Sequence, residues 1–245
     1  MVALPTTSMH ARVLPARWDW ASSSAVSDAL QALMPGHYTP AHLTRLSSSM
    51  PGQPHFLQDA EQPLPGQPEC VQTRVEEVFP LLDALDLSAC VHVVDPWCGT
   101  GGVSEACASR GLGVFKNDIN PSYPAHTHHD ALQPAFYQSL HRRGVVPDAI
   151  IMSPWFRVLD IALPLAVLYA TRVVAAHVPG HYLTNAHPAR LAFLKRLQRH
   201  GRLAILTGLP RGATGRKCIW LIIFRHKFMR AAMLRRDLPT NLVFT

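Results

Sequence analysis

The sequence predicts an α/β fold, a doubly wound and mostly parallel sheet of seven strands with an N-terminal extension, and three observations carry that expectation. An apolar run at 91–95, VHVVD, ends in a carboxylate and passes into the glycine-rich turn at 98–102, CGTGG. A helical pattern at 103–110 leads to a second apolar run that closes on Asn117 and Asp118, which makes a strand, turn, helix and parallel strand. Beyond it, apolar runs of strand length keep alternating with helical patterns, as crossover-connected parallel sheets require.

The 245 residues, 48% of them hydrophobic, suffice for one substantial core, and at ~150 residues per domain they imply one domain with added material. The expected division is an N-terminal arm over 1–65, a main domain over 66–228 and a basic tail over 229–245. No apolar run reaches the ~18 residues of a membrane helix, and the N-terminus lacks the apolar core of a signal peptide, so an intracellular protein, nuclear or cytoplasmic, is expected. Cys70, Cys90, Cys98, Cys107 and Cys218 show no C-x-x-C spacing and read as reduced thiols. The net charge of +7 favours a polyanionic partner.

In chain order, the arm is rich in Ser, Pro and His and holds one helical pattern, at 24–34. It reads either as a mobile arm or as a substrate-binding elaboration that orders on contact. Apolar spacing at 67–85 predicts a helix, kinked or divided by Pro80, that packs beside the pocket or simply docks on the sheet. The run 91–95 shows no alternation and is read as a central strand buried on both faces. Residues 123–129 form a short third strand, 134–143 a helix, and 148–152 a fourth strand ending at Ser153. Residues 158–169 read as a buried helix with a kink at Pro164, and 172–178 as a fifth strand. An amphipathic helix at 189–199 turns Leu191, Phe193, Leu194 and Leu197 inward, and strands at 203–207 and 218–224 complete the sheet as an antiparallel edge pair. The loop 208–217, with Arg211, Arg216 and Lys217, is either a phosphate-contacting loop or a solvated hairpin. The basic helical pattern at 225–236 either grips nucleic acid or covers the sheet edge.

The chemistry sits at the carboxyl ends of the strands, where ligands of such sheets bind. In the turn, glycine lets the main chain take positive φ and approach a ligand closely. The pattern is neither G-x-G-x-x-G nor G-x-x-x-x-G-K-[ST], so a nicotinamide or nucleoside triphosphate site is not the first expectation. Asp118 stands where a carboxylate accepts both hydroxyls of a ribose. Asp130 is placed to accept an adenine amino group, and Ser153-Pro154-Trp155-Phe156 follows the fourth strand.

These motifs together resemble the Rossmann-like S-adenosylmethionine-dependent amino-methyltransferases. DPWCGTGG resembles their DPFxGxG cofactor motif, and SPWF their [DNS]-P-P-[YFW] catalytic motif. The cofactor motif precedes the catalytic one, as in one large group of adenine-specific nucleic-acid methyltransferases. More narrowly, the text is similar to adenine-methyltransferase-like domains of algal and protist retroelements. The resemblance covers about 66–224. It implies S-adenosyl-L-methionine as cofactor, held by Asp95, Pro96, Trp97, Gly99 and Gly101, with Asp118 at the ribose and Asp130 at the adenine. It implies Ser153, Pro154, Trp155 and Phe156 as the catalytic set.

Methylating an exocyclic amine requires acceptors for its N–H groups, so that the nitrogen lone pair faces the methyl in line. The Ser153 hydroxyl and Pro154 carbonyl supply acceptors, and Phe156 a ring for stacking a flipped base. Trp155 departs from the family's second proline; it either adds stacking surface or narrows the pocket. The expected acceptor is adenine in DNA. RNA or protein-lysine methylation, and a catalytically inactive nucleic-acid-binding partner, are the alternatives. His126, His128 and His129 lack a second ligand cluster, so no metal is expected. His177 and His181 read as structural or pocket-lining.

Overall fold

The computed structural model describes residues 23–33, 72–184, 188–210, 217–235 and 241–244. The remainder of the N-terminal arm, Cys70, Val71, and Arg211 and Arg216 of the glycine-rich loop lie outside these residues.

The sheet is seven-stranded and doubly wound. Its strands are β1 (Val93–Asp95), β2 (Val114–Lys116), β3 (Ala149–Met152), β4 (Val173–Pro179), β5 (Leu203–Leu206), β6 (Cys218–Phe224) and β7 (Leu242–Phe244), in spatial order β2-β1-β3-β4-β6-β5-β7. Strands β1 to β5 run one way, since β1 pairs in parallel with β2 and β3, β3 with β4, and β6 lies antiparallel between β4 and β5. Strand β7 is antiparallel to β5.

Helices α1 (Ser23–Leu33), α2 (Val75–Ala84), α3 (Gly102–Ala108), α4 (Pro134–Arg142), α5 (Leu159–Tyr169), α6 (Pro188–Arg199) and α7 (Lys227–Met233) cover both faces. The two-residue period of a strand sorts the core into two layers. Val94, Ile150, Met152, Val174 and Ala176 face α1, α4, α5 and α6, whereas Val93, Ala149, Ile151, Val173 and Ala175 face α2, α3 and α7. Both faces of the central strands are therefore dry, which is why they read as unbroken apolar runs. Helix α1 joins the first layer through Ala29, Leu30 and Leu33.

Several expectations are corrected. The first strand begins at Val93, because Val91 is 80% exposed; the Val91 and His92 N–H groups donate instead to the Asp148 carboxylate at 2.8 and 3.2 Å. The predicted third strand at 123–129 shrinks to one parallel bridge between Asn117 and Thr127. The buried Asn117 side chain takes the place of a ladder there: its Oδ1 accepts from Thr127 Oγ1 and His129 N, and its Nδ2 donates to the His129 and Pro96 carbonyls. The place of a seventh strand is filled by β7. Strand β6 is interior rather than at the edge, with β5 and β7 outside it. Helix α2 runs unbroken through Pro80; the carbonyl this proline leaves without its helical donor belongs to the exposed Glu76. Leu191 faces outward, 39% exposed, while Arg190 is half-buried and pairs bidentately with Asp160 at 2.7 and 2.7 Å over the Tyr182 ring. The basic tail helix is anchored by the buried Met233 and by a bridge from Leu234 to Leu85.

Candidate active site

Strand order reverses beside β1, with β2 on one side and β3 on the other, so the crevice of this sheet opens above the carboxyl ends of β1 and β3. A cavity of about 310 Å³ lies there, a volume suited to a small-molecule ligand. Asp95, Trp97, Gly99, Asp118, Ser153 and Trp155 all line it. Residues separated by up to 60 positions are brought together because each ends a strand or opens the loop after one.

The turn between β1 and α3 is built on glycine. Gly99 and Gly101 have φ of +50° and +100°, which side chains strongly disfavour. The Gly99 N–H donates to Asp118 Oδ2 at 2.8 Å, and Asn120 N donates to Asp118 Oδ1 at 2.9 Å. Each Asp118 oxygen retains further lone-pair capacity for a hydroxyl. Asp95 is 1% exposed. Its Oδ1 accepts a 3.2 Å bond from Trp97 N, while the buried Oδ2 has no partner. Burial, reinforced by Asp118 nearby, pushes the Asp95 carboxyl up to about 8. Burial also pushes the Cys98 thiol up to about 12, so this cavity-lining cysteine is a thiol and not a nucleophilic thiolate.

The other predicted residues stand behind this wall. Pro96 contributes its carbonyl to Asn117, and Gly101 precedes α3. Asp130 lies at the head of α4, its Oδ1 accepting from Leu132 N at 2.9 Å, and does not line the cavity. Pro154 is buried, and Phe156 packs against the first core layer, which leaves Trp155 as the ring of SPWF in the cavity wall.

Two wall residues carried no sequence signal of their own, Gln72 and Thr73. They precede α2, which packs on α3. Gln72 Oε1 accepts the Thr100 N–H at 2.9 Å, and its Nε2 donates to the Tyr123 hydroxyl at 3.2 Å, tying the glycine turn to the opposite rim. Thr73 Oγ1 lies 3.4 Å from His177 Nδ1. The histidines at 126–129 are engaged locally: His126 Nδ1 accepts from Lys116 N at 2.9 Å, and His128 Nδ1 lies 3.0 Å from the Asp118 carbonyl. Among the described residues no group of three or more His, Cys, Asp or Glu is arranged to hold a metal ion. No described helix is long and apolar enough to cross a membrane.

No family model matches this sequence, and no curated protein matches it. Among solved structures, the chain is similar to an O-methyltransferase from Bacillus cereus in complex with SAH, at 13% identity and TM-score 0.44, covering 82% of this chain and 90% of that one. A SAM-dependent methyltransferase from Archaeoglobus fulgidus is similar at 17% identity and TM-score 0.41, covering 70% and 100%. The methyltransferase subunit of a type I restriction-modification system from Streptococcus thermophilus is similar at 13% identity and TM-score 0.42; 64% of this chain is covered, and the match spans only 44% of that subunit.

Two buried groups of this region, Asp95 and His177, make a pH signature. Asp95 holds a proton in the folded state up to about pH 8 that an unfolded chain releases near 3.8, so its contribution is fully present below 3.8 and is lost as pH rises to about 8. Burial depresses His177 from 6.5 to about 4, so its contribution is fully present above 6.5 and is lost as pH falls toward 4. The two slopes oppose each other between about 4 and 6.5, and above 6.5 Asp95 governs. Chemical denaturation of the ligand-free protein is expected to show a fall of about 2 kcal/mol between pH 6.5 and 8, and Asp95→Asn is expected to flatten it.

Proposed function

We propose that this chain is an S-adenosylmethionine-dependent methyltransferase that acts on an exocyclic amine, adenine in DNA being the acceptor that its motifs fit. The observation that carries the reading is that Asp95, whose buried Oδ2 has no partner, lines the same cavity as Asp118. A buried carboxylate calls for a cation, and the ammonium of a methionyl group is one. Asp118, some lone-pair capacity still unused, suits the two hydroxyls of the ribose that follows the methionyl part of the same ligand. The residues present therefore fit this cofactor, which supplies an electrophilic methyl carried on a sulfonium.

The chain's own residues do the rest. The Ser153 hydroxyl and Pro154 carbonyl accept hydrogen bonds from the target amine and orient its nitrogen lone pair toward the cofactor. Trp155 gives the base a face to stack on, worth about 1–3 kcal/mol, against an unstacking cost of a few kcal/mol. In this assignment Phe156 braces the loop from the core side, and Asp130 acts at the head of α4. The net charge of +7 favours a nucleic-acid acceptor over a neutral small molecule.

The test is transfer of radiolabelled methyl to separate DNA, RNA and protein pools. Label is expected in DNA, reduced about tenfold to hundredfold by Ser153→Ala with cofactor affinity preserved. Label confined to RNA or protein would move the acceptor. No label in any pool, together with no cofactor binding by calorimetry, would overturn the enzyme reading.

A further inference from the structure

A chain of three polar side chains runs from inside the protein to the cavity wall. Glu77, 1% exposed, is in the first turn of α2; its Oε2 accepts the Arg74 N–H at 2.9 Å, and its Oε1 faces His177 Nε2 at 3.8 Å. His177, 5% exposed on β4, has no hydrogen-bond partner at Nε2, and its Nδ1 lies 3.4 Å from Thr73 Oγ1 in the cavity wall. The ring is fixed laterally by Trp220 on β6, with centroids 4.9 Å apart, and Trp220 Nε1 donates to the Glu77 carbonyl at 2.7 Å. Carboxylate, imidazole and hydroxyl thus lie in sequence, supplied by α2, β4 and the segment before α2.

We propose that Glu77 and His177 are positioning residues that turn the Thr73 hydroxyl into a fixed hydrogen-bond acceptor for the ammonium end of the cofactor. The inference rests on the function proposed above. A carboxylate has only lone pairs to offer, so the imidazole proton belongs on Nε2, facing Glu77. Nδ1 is then a bare acceptor for the hydrogen bond that the Thr73 hydroxyl donates. Thr73 is left with lone pairs for the cavity, on the side of the wall where Gly102 abuts its carbonyl. Asp95 supplies the ammonium with its counter-charge, and Thr73 supplies a neutral acceptor. Burial holds the imidazole in its uncharged form, as the relay requires. The second-nearest neighbour of a site residue commonly sets a histidine tautomer in this way.

The experiment uses the full chain and two probes, S-adenosylhomocysteine, which carries the ammonium, and methylthioadenosine, which lacks the amino-acid part. Calorimetry is expected to show a loss of about tenfold in affinity for S-adenosylhomocysteine in Glu77→Gln and in Thr73→Val, with methylthioadenosine affinity unchanged. Thr73→Ser, which keeps the hydroxyl, is expected to restore binding. Nitrogen NMR of His177 in the ligand-free protein is expected to show a pyrrole-type Nε2 and a pyridine-type Nδ1. The opposite tautomer or an imidazolium at neutral pH overturns the inference, as does equal loss for both probes. Failure of the unaltered protein to bind S-adenosylhomocysteine overturns the proposed function together with this inference. Binding that ignores Glu77→Gln and Thr73→Val overturns this inference alone.

Discussion

Asp95→Asn is expected to weaken cofactor binding by about a hundredfold or more while making the ligand-free protein more stable at pH 8. The two effects have one cause. Asp95 is 1% exposed with one oxygen unpartnered, and its carboxyl is pushed up to about 8 by burial. In the ligand-free fold the ionised form is therefore a liability, and asparagine, close in shape and never charged, removes it. With an ammonium in the cavity the same charge is compensated, and asparagine leaves the cation without its partner. Affinity for the cofactor should accordingly weaken by about tenfold per pH unit below about 8, as Asp95 takes up a proton. Above that it weakens again as the ligand's α-amino group, of ordinary value about 7.7–8.0, loses its charge. Calorimetry across pH gives the affinity, and denaturation of the ligand-free variant gives the stability. A variant that loses both would make Asp95 a structural residue only, and one that loses neither would remove the ammonium from this end of the cavity.

How much of this was legible in the sequence depended on whether a signal was local. Asp95, Asp118 and Ser153 each close an apolar run, and a parallel sheet sends such residues to one crevice without further information. Gln72 and Thr73 reach the same cavity through the packing of α2 on α3, across 28 residues in the case of Gln72 and Thr100. Nothing in their immediate neighbours records that contact. His177 sits in a seven-residue buried strand, where a single polar letter among apolar ones reads as a satisfied core histidine. Its meaning comes from Glu77, 100 residues earlier. The predicted third strand failed for a related reason. Beyond the Asn117–Thr127 bridge, the His129 N–H and carbonyl are taken by the side chain of Asn117, and period-based reading assigns strands by side-chain pattern without seeing such a competitor. Strand β7 has three residues, too few for any period to show.

The glycines of the turn separate two kinds of constraint, and Gly102→Ala is expected to be the most damaging of the three single substitutions there. A Cβ at Gly102 would lie 2.0 Å from the Thr73 carbonyl oxygen, a backbone atom that cannot rotate away. Relief requires α2 and its leading segment to separate from α3, which costs ~3 kcal/mol by analogy with overpacked cores and moves Thr73 off the cavity wall. At Gly99 the obstacle, also 2.0 Å away, is the end of the Gln72 side chain, which can swing aside at the loss of its bond to Thr100. The cost there is the backbone strain of φ +50° together with that hydrogen bond. At Gly101 the nearest atom is 3.2 Å away, and the penalty is the strain of φ +100° alone, about 1–3 kcal/mol. Thermal denaturation should show Gly102→Ala lowered most, by about 6–12 °C for a chain of this size. Cofactor affinity should fall further in Gly102→Ala than in Gly101→Ala even below the melting range, because only the former displaces Thr73. Equal melting temperatures for the two variants would mean that the approach of α2 to the turn is slack, and Thr73 would then lose its claim to a fixed place in the site.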